Sequence, residues 1–294
     1  MERKQASDFD RRILDLFDRY VHGRIARRDF LEQAGRFAVG GMTAGAILES
    51  LSANYLNPLV SRGDARIQEE YVMYPSPDGY ESVRAYKIRP AGTAGRLPAV
   101  VVVHENRGLN PHIEDVARRF ATEGFLAFAP DGLTSLGGSP GNDDQGREMQ
   151  SSLDRARLLE DFVAAVAFMQ THPESTGRVG IVGFCYGGGV SNTLATRNPE
   201  LAGAVPFYGG QPPAEAAANI RAPLLLHFAE DDEGVNSGWP AWEAALRANG
   251  VRYEAHVYPG TLHGFHNDTT PRYNEGAARL AWQRTVDFFR RELA

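Results

Sequence analysis

One short motif constrains the fold of this chain more than any other. It reads Gly183-Phe184-Cys185-Tyr186-Gly187-Gly188 and directly follows the apolar run 179–182. A reactive side chain between glycines, after an apolar strand, is typical of a sharp strand-to-helix turn that exposes its central residue. Cys185 is the one cysteine in 294 residues, so it forms no intramolecular disulfide. Buried packing is the alternative role for a free cysteine, but it does not require glycines on both sides. The motif therefore predicts a thiol nucleophile at the carboxyl edge of a parallel sheet.

The pattern around this motif predicts alternating strands and helices. Residues 98–104 are continuously apolar and valine-rich, as expected of a central parallel strand covered on both faces. A helix over 113–122 and a strand over 125–129 would complete one strand–helix–strand unit. Strands over 69–74 and 83–89, joined by a proline- and glycine-containing turn, predict an opening hairpin. We expect further strands at 179–184, 204–208, 224–229 and 253–258. Further helices are expected at 147–170, 239–248 and 274–291, with another that begins at Cys185. The segment 131–146 is expected to be a loop that borders the pocket. The predicted class is α/β, a mostly parallel central sheet with helices on both faces.

Composition excludes several kinds of partner and cofactor. The net charge of −6 includes no basic stripe, which argues against nucleic acid. No apolar run is long enough to span a membrane. A single cysteine excludes a thiolate-built metal site, and no three histidines stand at metal-binding spacing. We therefore expect a small-molecule substrate and no cofactor or metal.

The first part of the chain differs from the rest, and we divide it into an N-terminal helical extension, 1–65, and a catalytic domain, 66–294. Helical periodicity over 9–21 predicts an amphipathic helix. The run 27–31, Arg-Arg-Asp-Phe-Leu, precedes the glycine-rich apolar segment 38–48, an order that resembles a twin-arginine export signal.

An acidic leader and the lack of a clear cleavage site count against an export signal. The alternative is a structural arm that packs on the domain or on a second subunit. An arm that packs on a second subunit would make the protein a homo-oligomer. Two locations follow from these hypotheses: periplasmic after export, or cytoplasmic with a retained arm.

A thiol nucleophile needs an acid and a histidine, which follow it in that order along chains with such a turn. The acidic run after strand 224–229 contains Asp232, with Asp231 as the alternative. His263 follows strand 253–258, with His266 as its competitor. Because active sites of open α/β sheets lie at the carboxyl ends of the strands, the sequence predicts a triad of Cys185, Asp232 and His263.

The loop after the central strand carries Glu105. A carboxylate near the thiol would raise the thiol pKa or accept its proton; the alternative is a structural ion pair with Arg107. An oxyanion hole is expected from two backbone N–H groups, that of Tyr186 beside the nucleophile and that of Asn106 in this loop.

Together, the cysteine motif, Asp232, His263-Gly264-Phe265 and Glu105 resemble the dienelactone hydrolase family, the carboxymethylenebutenolidases of the α/β-hydrolase superfamily. The resemblance extends from residue 69 to the C-terminus. It implies an α/β-hydrolase fold and a cysteine-dependent hydrolase of carboxylic esters or lactones that needs no cofactor. In the implied scheme, Glu105 holds the resting thiol, Cys185 forms an acyl-enzyme, and His263, oriented by Asp232, activates water.

The chain departs from the family pattern where an arginine after the H-G-F motif helps to bind the substrate carboxylate. Asn267 stands there instead. Arg107 and Asn267 are the candidate substrate-binding residues, with Arg147, Arg155 and Arg272 as substitutes. A thioesterase or peptidase would use the same triad. A non-catalytic binding protein would keep only the fold, with the helical extension as its functional part.

Overall fold

The computed structural model of this chain describes residues 4–38 and 43–294. Within them, eight strands form one sheet in the order β1-β2-β4-β3-β5-β6-β7-β8. The strands are β1 (Ile67–Ser76), β2 (Glu81–Pro90), β3 (Leu97–Val103), β4 (Leu126–Pro130), β5 (Ser175–Phe184), β6 (Gly203–Phe207), β7 (Leu224–Asp231) and β8 (Tyr253–Leu262). The β1–β2 and β2–β4 pairs are antiparallel, and the other pairs are parallel. The predicted mostly parallel sheet with an opening hairpin is confirmed.

Helices cover both faces of the sheet. They are α1 (Arg11–Val21), α2 (Arg27–Ala34), α3 (Ala44–Leu51), α4 (Pro111–Thr122), α5 (Asp143–Ser152), α6 (Arg155–Thr171), α7 (Tyr186–Arg197), α8 (Glu233–Asn236), α9 (Trp239–Ala248) and α10 (Glu275–Glu292). Helices α6, α7 and α9 contribute to the apolar layer on one face, around Phe162 and Trp242. Helices α4 and α10 contribute to the other, around Phe120 and Phe289. Strand β3 lies between these layers with its last five residues fully buried, as expected of a valine-rich central strand.

The region after β4 differs from the prediction of a long loop and one helix. The segment 131–146 already contains the first turn of α5, which Asn142 caps by accepting a hydrogen bond from the Gln145 N–H at 3.0 Å. The predicted helix 147–170 is two helices, because the Asp154 side chain accepts from the Ala156 N–H at 2.8 Å and starts α6. A capping aspartate favours a helix start over a helix interior, and that preference outweighs the continuous apolar spacing.

The extension folds around its own apolar cluster. Phe30 is fully buried and its ring lies 6.1 Å from that of Phe17 and 5.4 Å from that of Tyr20. The predicted amphipathic helix is α1. Arg27, at the start of α2, pairs with Asp144 at 3.1 Å. The predicted apolar segment 38–48 overlaps residues 39–42, which lie outside the described residues.

Several contacts join the extension to the sheet domain. Arg11 forms an ion pair with Asp231, and the Asn54 N–H donates to the Thr269 carbonyl at 2.8 Å. Among the described residues, every helix is too short or too polar to cross a bilayer. The export-signal and arm hypotheses both stay predictions.

Candidate active site

The turn at Cys185 has the strained backbone that its sequence predicts. Cys185 joins β5 to α7 with φ 56° and ψ −111°, a conformation that non-glycine residues adopt mainly where the surrounding structure enforces it. A Cβ atom on Gly183 would lie 1.9 Å from the Gly187 carbonyl oxygen, and one on Gly187 would lie 2.4 Å from that of Val103. Both glycines are therefore needed for the close approach. The thiol stands at the N-terminus of α7, where the helix dipole favours an anion.

The predicted acid and histidine meet beside this turn. The Nδ1 atom of His263, in the loop after β8, lies 2.6 Å from Oδ2 of Asp232, which follows β7. Each side chain is about nine-tenths buried. The Nε2 atom of His263 is buried with no hydrogen-bond partner among the described residues, and a ring nitrogen of this histidine lies within 4.8 Å of the Cys185 sulfur. This nitrogen is therefore available to exchange a proton with a bound molecule.

The alternative acid and histidine lie elsewhere. Asp231 is exposed and pairs with Arg11 of the extension. The His266 ring stacks on Phe184 with centroids 5.2 Å apart, and burial lowers its pKa to about 3. A histidine held neutral in a packed core fits a structural role.

A second histidine, which sequence reasoning missed, contacts the thiol. His22 follows the last residue of α1, and its Nε2 lies 3.7 Å from the Cys185 sulfur. Its Nδ1 donates to the Asp18 carbonyl oxygen at 2.8 Å and lies 3.2 Å from Oδ1 of the same residue. The rings of His22 and His263 meet edge to face, 4.7 Å apart. The thiol thus lies between two histidines, each backed by an aspartate.

These neighbours determine the charge of the thiol. Burial opposes ionisation of Cys185, but the positive charge of His263 and the hydrogen bond from His22 outweigh it and lower the thiol pKa to about 6. Burial likewise opposes the charge on His263, while the thiolate and Asp232 raise its pKa to about 10. The thiol is therefore ionised at neutral pH.

Glu105 is engaged by other side chains. Its carboxylate accepts from Arg107 through Nε at 3.1 Å and also through Nη2, and it accepts from Nδ2 of Asn267 at 3.2 Å. Burial opposes its charge, but Arg107 and then His112 outweigh it and hold the Glu105 pKa at about 2. Of the two predicted roles, the structure places Glu105 in the ion pair with Arg107.

Replacing Arg107 with methionine is expected to lower the free energy of unfolding by about 3–5 kcal/mol, because the variant buries the Glu105 carboxylate without its partner. Glu105 is only 5% exposed. The matched control is Arg290→Met, whose ion pair with Glu123 at 2.7 Å is on the surface and contributes about 0–1 kcal/mol. Urea unfolding of both variants checks this, and equally small losses would contradict it.

The predicted oxyanion loop is fixed from both ends. Nδ1 of His104 donates to the Glu105 carbonyl at 2.6 Å, and its Nε2 accepts from the Gly132 N–H at 3.1 Å. The Asn106 side chain donates to the carbonyl oxygen of Val21 at 2.7 Å. This bond ties the loop to the end of α1.

The other predicted donor of the oxyanion hole is the backbone N–H of Tyr186. Tyr186 is the first residue of α7, where backbone N–H groups have no partner within the helix.

A cavity of about 830 Å³ is lined by Cys185 and by residues of α1 and α7. Arg155 and Arg272 line it, whereas Arg107 and Arg147 line a separate small cavity. Asn267 binds Glu105 instead. Three arginines line the larger cavity and form no ion pair among the described residues: Arg19, Arg24 and Arg155.

Tyr208 is a further residue of this cavity that the sequence did not indicate. Its φ is 36°, and its ring lies 4.9 Å from that of His263. Its hydroxyl is buried with no hydrogen-bond partner within the described part of the chain. No local motif marks it, since its placement depends on the turn after β6.

The ligand atoms of His22, Cys185 and His263 all lie within 4.8 Å of one another. Thiolate and imidazole ligands at this spacing are suited to an ion such as Zn²⁺. The absence of a metal therefore stays a prediction from the sequence.

The fold and the strand-to-helix turn define a hydrolase of the α/β-hydrolase superfamily. A family model described as "Dienelactone hydrolase family" matches residues 83–293, and one described as "YqhI-like" matches residues 1–39. The chain belongs to the dienelactone hydrolase family, as its motifs suggested.

Named relatives agree with this assignment. A protein of Escherichia coli K12 named "Putative hydrolase fragment YghX" is 58% identical over 114 residues, 38% of this chain and 97% of the relative. A "Putative carboxymethylenebutenolidase" of Salmonella typhi is 32% identical over 228 residues, 72% of this chain and 84% of the relative. A crystal structure from Klebsiella pneumoniae, described as a "Putative Dienelactone Hydrolase", superposes with a TM-score of 0.67 at 30% identity and covers 76% of this chain and 99% of that one.

Proposed function

We propose that this hydrolase cleaves carboxylic esters or lactones through an acyl-enzyme on Cys185. The observation that carries the proposal is a thiol with lowered pKa at a strained turn, beside a histidine bonded to Asp232 at 2.6 Å. The relatives named as carboxymethylenebutenolidases support a lactone substrate. The same geometry argues against a non-catalytic role.

Acylation begins when the Cys185 thiolate attacks the carbonyl carbon. The carbonyl oxygen becomes an oxyanion, which the backbone N–H groups of Tyr186 and Asn106 stabilise, each by about 3 kcal/mol. As the intermediate collapses, the bond to the leaving oxygen breaks and that oxygen takes up a proton from a histidine beside the sulfur. In a lactone the released hydroxyl remains attached to the acyl group.

Deacylation requires an activated water. Thioester formation removes the thiolate that raises the His263 pKa, so Nε2 of His263 can lose its proton and then accept one from water, while Asp232 holds the other ring nitrogen protonated. The hydroxide oxygen attacks the thioester carbon, the carbon–sulfur bond breaks, and the thiolate is restored. Glu105 acts as a positioning residue, since its bonds to Arg107 and Asn267 hold the oxyanion loop.

Three arginines of the cavity are available to a negative group of the substrate. Arg19, Arg24 and Arg155 line the cavity without an ion pair among the described residues, and guanidinium groups bind carboxylates well. We infer that these arginines take the place of the arginine for which this chain has Asn267. A thioesterase or peptidase would use the same nucleophile and is separated by substrate alone.

An activity screen tests the proposal. Wild type and Cys185→Ala are compared on lactones, aryl esters, thioesters and peptide amides, each with and without a carboxylate. We expect lactones and aryl esters to be hydrolysed by wild type only, with a lower KM for the carboxylate-bearing members. Turnover confined to thioesters or amides, or equal in both proteins, would overturn it.

A further inference from the structure

We propose that His22, held by Asp18, is a second catalytic histidine that the N-terminal extension adds to the active site. In this role it protonates the leaving group during acylation, and His263 serves deacylation. The inference rests on the proposed ester hydrolysis at Cys185. It gives the extension a chemical role in the reaction.

The geometry of the thiol favours His22 for the first proton transfer. Its Nε2 makes the hydrogen bond to the sulfur at 3.7 Å, while Nε2 of His263 has no hydrogen-bond partner among the described residues. A leaving oxygen departs from a carbon bonded to that sulfur, so a proton on Nε2 of His22 is within reach of it. Nε2 of His263 remains available to a water.

The position of His22 is fixed by contacts on both sides. Val21 accepts a hydrogen bond from the Asn106 side chain of the oxyanion loop at 2.7 Å. Asp18, which orients the ring, lies 3.4 Å from Nη1 of Arg272. The His22 side chain is about one-fifth exposed, and it lines the cavity. It is thus held at the sulfur on the substrate side.

Charge supports the same assignment. Nδ1 of His22 donates to the Asp18 carbonyl oxygen at 2.8 Å and lies 3.2 Å from Oδ1 of that carboxylate, so Asp18 stabilises a positive charge on the ring. The ring can therefore hold the proton that the leaving oxygen needs. The charged and titratable groups facing the sulfur are His22 and Asp18 from α1, His263 and Asp232 from the loops after β8 and β7, and Tyr208 after β6.

The proton count closes over one turnover. The thiolate forms a bond to the acyl carbon, the carbon–oxygen bond breaks, and the leaving oxygen takes the proton from Nε2 of His22. Once the thiolate charge is gone, the proton on Nε2 of His263 passes to His22 by way of solvent. Water then adds its oxygen to the acyl carbon and gives a proton to Nε2 of His263, and the carbon–sulfur bond breaks. The thiolate and both protonated histidines are thereby restored, and the acid product releases its proton to solvent.

The test compares His22→Gln with wild type in the full chain, using esters of one acid with different alcohols. A missing proton donor slows release of a poor leaving group such as an alkyl alcohol by about 10²–10⁴-fold. An activated aryl alcohol leaves without protonation, so we expect its kcat to fall much less. A structural defect would slow both esters equally.

Alkylation of Cys185 by iodoacetamide provides a readout that does not need turnover. Loss of His22 should raise the pH at which alkylation reaches half its maximum above the wild-type value, because the thiolate loses a stabilising partner. His256→Gln, on β8 outside the cavity, is the matched control and should match wild type. Asp18→Asn, which keeps the side-chain shape, should give a weaker form of the same pattern if His22→Gln does not fold.

Equal kcat losses for alkyl and aryl esters, or an unchanged alkylation profile in a folded His22 variant, would overturn the inference. The proposed function has a separate test, since its failure would appear as turnover by Cys185→Ala. All assays contain a chelator, so that no metal bridges the three ligand atoms of the site.

Discussion

Replacing Cys185 with alanine is expected to lower kcat/KM for aryl esters by about 10⁴-fold or more, because the variant has no atom to form the acyl-enzyme. The side chain is small and lies at a turn that glycines and the β5–α7 backbone determine. We therefore expect the melting temperature to change little. Steady-state kinetics and circular dichroism on the same preparations check both statements.

Cys185→Ser is the matched control for this prediction. The site stabilises a thiolate whose pKa is about 6, and a serine hydroxyl ionises far less readily than a thiol. We expect activity above that of the alanine variant and well below wild type. An alanine variant that retains wild-type turnover would exclude Cys185 as the nucleophile.

Replacing His263 with glutamine is expected to lower kcat by about 10³–10⁴-fold, the usual contribution of a positioned general base. The loss should be greatest in deacylation, because water then lacks the Nε2 acceptor. An acyl-enzyme should accumulate, seen as a burst of alcohol at the first turnover followed by slow release of acid. Burst kinetics measure the two rates separately.

The control is His266→Gln, three positions further along the chain. The stacking of His266 on Phe184 and its pKa of about 3 place it outside the proton transfers, so kcat should be kept in the folded fraction of this variant. A larger loss of kcat for His266→Gln than for His263→Gln would contradict the choice between the two histidines.

Much of the fold could be predicted from the sequence because its signals are local. Valine-rich runs indicate buried parallel strands, and β3 lies fourth in the sheet order. The break between α5 and α6 was missed because apolar spacing runs on through it, although Asp154 caps the second helix. A side-chain cap was the available signal.

The sequence could predict only those residues of the candidate site whose positions follow from the order of the strands. Asp232 and His263 follow strands β7 and β8, whose ends meet at one edge of the sheet, and they lie in hydrogen-bond contact. Their catalytic roles remain proposals.

His22 could not be found in this way, because it reaches Cys185 across 163 positions from a helix outside the sheet. The only local signal is an aspartate four positions earlier on the same helix, which is common on exposed helices. Glu105 was ambiguous for a related reason. Its orientation depends on Arg107 and on Asn267, which lies 162 positions away.

An acyl-enzyme on Cys185 can be detected by mass spectrometry of the quenched reaction. His263→Gln is mixed with an aryl ester, stopped with acid during the burst, digested and mapped. We expect a mass gain equal to the acyl group on the peptide that contains Cys185. An acyl group on any other residue, or a burst of alcohol with no adduct at Cys185, would contradict it.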